Sequence, residues 1–139
     1  MKQEISMMKQ VGVWIDHRKA IIVRVRDDVE EIHSIASDME KHVRYAGGEP
    51  EDRRDRRFTN HLNEYYSRVI SFLQDADSIL ILGPGEAKGE FEKRLRSEPF
   101  GALIVGVETA DKMTYHEIAA RVREYFLIAN VNNRQSKKD

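Results

Sequence analysis

The densest set of chemically capable side chains in this sequence is an arginine run, Arg53, Arg54, Arg56 and Arg57, with Lys41 and Arg44 upstream. Cationic groups this close together neutralise phosphates and release counterions, so contact with a polyanion is the chemistry they suit. Asp38, Glu40, Glu49, Glu51, Asp52 and Asp55 share the stretch and match those six positive charges one for one. Two readings therefore stand: a surface that orders on phosphate, or a solvated segment whose charges pair internally. Gly47-Gly48 lies in the middle of the stretch, followed by Glu49 and Pro50.

A second constellation is Gly83-Pro84-Gly85-Glu86-Ala87-Lys88-Gly89. It follows an apolar run and opens a helical pattern, and free N–H groups at such a junction can receive an anion. Gly83, Gly85, Lys88 and Gly89 are the residues that would do so. The spacing departs from a P-loop, because the lysine precedes the last glycine and no Ser or Thr follows. A tight strand-to-helix turn with Lys88 in solvent is the competing reading.

Asp16, at the end of the first apolar run, is where a nuclease carboxylate would sit. Two-metal cleavage needs several carboxylates converging on cations about 3.5–4 Å apart. The run ending in Leu82-Gly83 supplies no acid. Asp16 is read instead as a turn residue beside His17. His17, His33, His42, His61 and His116 show no ligand spacing, and Glu108, Asp111 and His116 read as a polar loop. No metal and no cofactor is expected.

The elements that must position these groups follow from periodicity. Val11, Val13 and Ile15 alternate with Trp14 and Asp16, and after a break at His17-Arg18-Lys19 the alternation resumes over residues 20–26. That pattern predicts an antiparallel hairpin, with a third, edge-like strand over 29–35. The charged stretch is then predicted as a loop over residues 36–57. From Phe58 the period becomes helical through Leu62, Tyr65, Tyr66, Val69, Ile70 and Leu73. Residues 77–82 read as a buried strand, Ala87, Phe91 and Leu95 as a helix, and residues 101–107 as a further strand. Thr114 and Glu117 form a capping box for the last helix, with Met113 and Ile118 as its staple. The order is β-β-β-α-β-α-β-α. It predicts an α/β domain with helices packed on a mixed sheet, the layout of ribonuclease-H-like folds.

A chain of 139 residues with 40% apolar content fits one such domain, predicted over residues 11–129 between a flexible segment 1–10 and a flexible tail 130–139. The net charge of −1 excludes a globally basic nucleic-acid binder but not a local patch. The absence of cysteine excludes disulfides, Cys-ligated zinc and thiol catalysis. No apolar stretch approaches the roughly 20 residues that span a bilayer, and residues 1–10 lack the apolar core of a signal peptide. A cytoplasmic protein without membrane contact is the expectation.

The string Val11-Gly12-Val13-Trp14-Ile15-Asp16 is followed in order by Ala20-Ile21-Ile22-Val23, the Gly47-Gly48 loop, a long helix, and Ala76 through Phe91 with its Leu82-Gly83-Pro84-Gly85 core. Over residues 11–128 this order resembles the middle domain of archaeal and eukaryotic class 1 peptide-release factors and of their ribosome-rescue relative Pelota. It is more similar still to small single-domain bacterial members labelled translational machinery proteins. The resemblance implies a ribonuclease-H-like fold. It also implies a loop that, in true release factors, carries Gly-Gly-Gln into the peptidyl-transferase centre and positions water there.

Gly47 and Gly48 match the two glycines, but Glu49 stands where the glutamine would be. Desolvation and repulsion by RNA phosphates oppose a carboxylate at that place. These residues also hold no counterpart of the codon-reading and GTPase-recruiting domains of full-length factors. The expectation is a non-catalytic, translation-associated protein that binds the ribosome, rRNA or tRNA. The alternatives are a peptidyl-tRNA or ester hydrolase using the Gly47-Gly48-Glu49 tip, and a small-ligand or protein-interaction domain using the Gly83–Gly89 turn.

Overall fold

Alternation along the first two strands decides which side chains meet which layer of helices. In a computed structural model that describes residues 9–26, 29–37 and 51–138, β1 (Gln10–Ile15), β2 (Lys19–Arg26) and β3 (Val29–Ala36) form an antiparallel meander. Helix α1 (Glu51–Ser71) leads to β4 (Ser78–Gly83), which lies parallel to β1. Helix α2 (Ala87–Arg96) and a 3₁₀ turn (Pro99–Leu103) lead to β5 (Ile104–Thr109), parallel to β4, and α3 (Tyr115–Lys138) ends the chain. The five strands lie in the order β3-β2-β1-β4-β5, so the expected mixed α/β sheet is observed. This is a ribonuclease-H-like arrangement.

The two faces of the sheet are both buried. Val11, Val13 and Ile15 point with Ala20, Ile22, Ile79 and Ile81 toward α1 and α2, where Leu62, Tyr65, Val69, Leu73, Phe91 and Leu95 cover them. Trp14, Ile21, Val23, Leu80 and Leu82 point the other way, under Ile118, Val122 and Phe126 of α3. Full burial of such side chains stabilises by about 1.5–3 kcal/mol each, which sets the strand register firmly. The capping box of α3 forms as its sequence indicates: Glu117 N–H donates to Thr114 Oγ1 at 3.1 Å, and Thr114 N–H donates to Glu117 Oε1 at 2.8 Å. Met113 and Ile118 pack in the same cluster.

Five boundaries differ from the sequence-based expectation. Helix α1 begins at Glu51 rather than Phe58, so residues 51–57 are its first two turns and not loop. Glu51 and Asp52 suit a helix start, Pro50 precedes it, and no helix breaker follows; apolar periodicity missed these turns because they carry no large apolar residue. Strand β3 extends through Ala36, and residues 101–103 belong to the 3₁₀ turn, with β5 starting at Ile104. At the chain ends, Gln10 is already in β1, and α3 continues through Lys138 instead of ending before Asn130. Gln10 Nε2 donates to Asn130 Oδ1 at 3.0 Å, so both residues belong to the folded unit. Polarity marks where α3 leaves the core, not where its backbone bonds stop. No helix is long and apolar enough among the described residues to cross a membrane.

Candidate functional site

The carboxyl ends of β1, β4 and β5, the N-terminus of each helix and the exit of β3 all lie at one end of the sheet. The segment carrying Gly47, Gly48, Glu49, Lys41 and Arg44 leaves and re-enters the fold there, and those five residues lie outside the described ones. Arg53, Arg54, Arg56 and Arg57 fall on the first two turns of α1, with Arg56 exposed and Arg57 half-buried. The frame around the segment is defined in detail.

Its base is the β1–β2 turn. Asp16 Oδ1 accepts from the N–H groups of Arg18 and Lys19, both at 2.8 Å, which makes it the turn residue expected from its position. Tyr65 OH donates to Asp16 O at 2.9 Å and ties α1 to this turn. Tyr66 OH donates to Glu90 Oε1 at 2.7 Å, and the same oxygen lies 3.0 Å from His17 Nε2. Burial, followed by the Asp16 charge at Tyr65 and the Glu90 hydrogen bond at Tyr66, pushes both phenols far above their ordinary pKa. Both therefore act as neutral donors. The exit of β3 is pinned to the same turn: Ser37 N–H donates to Arg18 O at 2.8 Å, and Ser37 Oγ donates to His17 O at 2.7 Å. Arg68 of α1 closes the frame by donating to Ala36 O at 2.9 Å.

This network was not anticipated from the residues. Its signal was present in Tyr65-Tyr66, two phenols inside an otherwise apolar stripe, because a buried hydroxyl needs a partner.

The Gly83–Gly89 turn has a structural account of its own. A Cβ on Gly83 would lie 2.2 Å from Ile15 O, at φ +150°, so the close approach of β4 to β1 requires glycine. Gly85 sits at φ +62° in the turn itself. Lys88 Nζ donates to Gly85 O at 2.7 Å, and Gly89 lies within α2. Glu86 and Glu90 already place carboxylates at the positive end of α2. On the far side of the sheet, Glu108 pairs with Arg121 at 2.9 Å, and Asp111 O accepts from Trp14 Nε1 at 3.2 Å. Glu108, Asp111 and His116 thus serve no common site. No group of three His, Asp or Glu side chains among the described residues is arranged to hold a metal ion.

No family model matches this sequence, and no curated protein matches it. Solved structures do. The Pelota protein of Thermoplasma acidophilum is similar over 80% of this chain and 30% of its own, at 19% identity and a TM-score of 0.53. Archaeoglobus fulgidus Pelota is similar over 97% of this chain and 39% of its own, at 16% identity and a TM-score of 0.52. An archaeal translation termination factor, aRF1, gives 11% identity over 93% of this chain and 42% of its own at a TM-score of 0.46, too low to carry the fold by itself. The strand order and the two Pelota likenesses agree: this chain has the fold of part of a Pelota-type, release-factor-like protein and spans well under half of that protein's length.

Proposed function

We propose that this protein is a non-catalytic, translation-associated factor of the cytoplasm that binds the ribosome, rRNA or tRNA through the segment between β3 and α1. The observation that carries this reading is the frame at the base of that segment. Ser37 and Ala36, where that segment leaves β3, are hydrogen-bonded to the β1–β2 turn and to α1, so the segment is anchored at that end. The Pelota-like fold supports the same reading, because the resembling loop of release factors works inside the ribosome.

Arg53, Arg54, Arg56 and Arg57 lie in the first turns of a helix that is anchored further along by Tyr65 and Tyr66. On this reading they contact phosphates while the helix holds their spacing. Glu49 in the place of glutamine favours binding over hydrolysis, since losing a positioned group removes much of an enzyme's rate advantage.

Cosedimentation with ribosomes over a range of salt tests the proposal. Binding should weaken steeply with salt, and Arg56→Ala with Arg57→Ala should flatten the log–log slope by about one unit for each phosphate no longer neutralised. Absence of binding even at low salt would sink the reading. Peptide released from loaded ribosomes by the purified chain would overturn its non-catalytic part.

A further inference from the structure

The opposite end of the sheet, where β1, β4 and β5 begin, carries a cavity of about 380 Å³ between the end of β2, the start of β3 and the end of α1. That size falls near the low end of small-molecule pockets, about 300–1,000 Å³, and suits one small ligand rather than a folded polymer. Asp75 lines it together with Lys9 and Arg24. The carboxylate takes Arg24 Nη1 at 2.7 Å and Lys9 Nζ at 3.2 Å, and Arg24 Nη2 also donates to Phe72 O at the end of α1. Two cations on one carboxylate leave this part of the lining net positive, and Arg24 is the least exposed of the three, at 23%.

The walls supply two further chemistries. The rings of His33 and Phe72 stand 5.3 Å apart at 42°, forming one aromatic side. Arg26 also lines the cavity and is exposed, with no ion pair among the described residues. Glu31 at the rim is an acceptor for a hydroxyl or amino group.

We propose that this cavity binds a nucleoside monophosphate, with the base against the Phe72 and His33 rings and the phosphate between Arg26 and Lys9. A flat ring system gains from stacking on aromatic faces whatever its identity, and a phosphate matches the planar donor fork of Arg26. A ligand lacking either half would leave one wall of the site unused. The site lies at the opposite end of the sheet from the end of β3 and the start of α1, so it stands or falls independently of the proposed function.

Titration of the isotopically labelled full chain with AMP, GMP, CMP and UMP, followed by amide chemical shifts, tests it. Saturable shifts should appear at residues 24–26, 31–33 and 72–75. Adenosine and ribose 5-phosphate, each carrying half of the ligand, should bind about tenfold more weakly or worse. Arg26→Glu and His33→Ala alter exposed or half-exposed side chains, retain the fold, and should each weaken AMP by about tenfold. Shifts confined to another region, or the absence of saturation with all four nucleotides, would overturn the proposal. So would ribose 5-phosphate binding as well as AMP, which would reduce the cavity to a plain anion site, or an Arg26→Glu variant with undiminished affinity.

Discussion

The two ends of the sheet are held by different forces. At the carboxyl end of β1 and β4, buried phenols and backbone groups do the joining: Tyr65 on Asp16 O, Ser37 on the β1–β2 turn, and Gly83 against Ile15 O. At the amino end, Lys9 N–H on Asp77 Oδ2 at 2.8 Å is joined by half-exposed charges, with Arg24 and Lys9 converging on Asp75. The first kind of contact is directional, shielded from water and indifferent to salt. The second is screened and adjustable, which suits a surface that can exchange an internal partner for a ligand. The end held by shielded bonds is also the one where β3 ends and α1 begins.

The sharpest way to break the rigid end is Gly83→Ala. The added Cβ meets Ile15 O at 2.2 Å in a backbone region that L residues avoid, and a loss of about 3 kcal/mol or more is expected in urea unfolding. Gly85→Ala is the control: at φ +62° with no atom near its Cβ it should cost only about 1–2 kcal/mol. Equal losses would show that the approach of β4 to β1 is not what Gly83 serves.

Tyr65→Phe comes next. It deletes the donor to Asp16 O and should destabilise by about 1–2 kcal/mol, a loss that stays the same at about 1 M salt.

The amino end should yield the smallest effect and the only one that depends on conditions. Asp75→Asn should cost less than about 1 kcal/mol, because the carboxylate is half exposed and its pairs are screened. The Arg24 hydrogen bond, opposed in part by desolvation and aided by Lys9, holds the Asp75 carboxyl below its ordinary range. A pKa lowered on folding contributes stability above the ordinary carboxyl value of about 3.9, and that contribution is lost as pH falls through and below it. The difference between wild type and Asp75→Asn should therefore shrink in acid and also vanish at about 1 M salt. An Asp75 effect insensitive to both would remove the contrast between the two ends.

Much of the fold was legible because burial repeats with the period of each element. Alternation in residues 11–26 assigned side chains correctly to the two faces, and Thr114 with Glu117 marked the start of α3 to the residue. Legibility stopped where structure is held by backbone bonds rather than apolar contact. The first turns of α1 and the last turns of α3 are spelled almost entirely in polar residues, so residues 51–57 read as loop and residues 130–139 as tail. The arginine run was visible as composition, but its place on a helix was not.

What the sequence determined by itself is therefore the element order, the two-faced core, the turn role of Asp16 and the motif order that resembles Pelota. Local patterns suffice for these, since they depend on spacing along the chain. Only the tertiary structure decided that Tyr66, Glu90 and His17 meet, that Ser37 is pinned to the β1–β2 turn, and that Lys9, Arg24 and Asp75 line a cavity with Phe72. Those groups come from segments up to 73 residues apart, as in His17 and Glu90. No periodicity in one segment reports on a partner that distant; only packing the helices on the sheet brings them together.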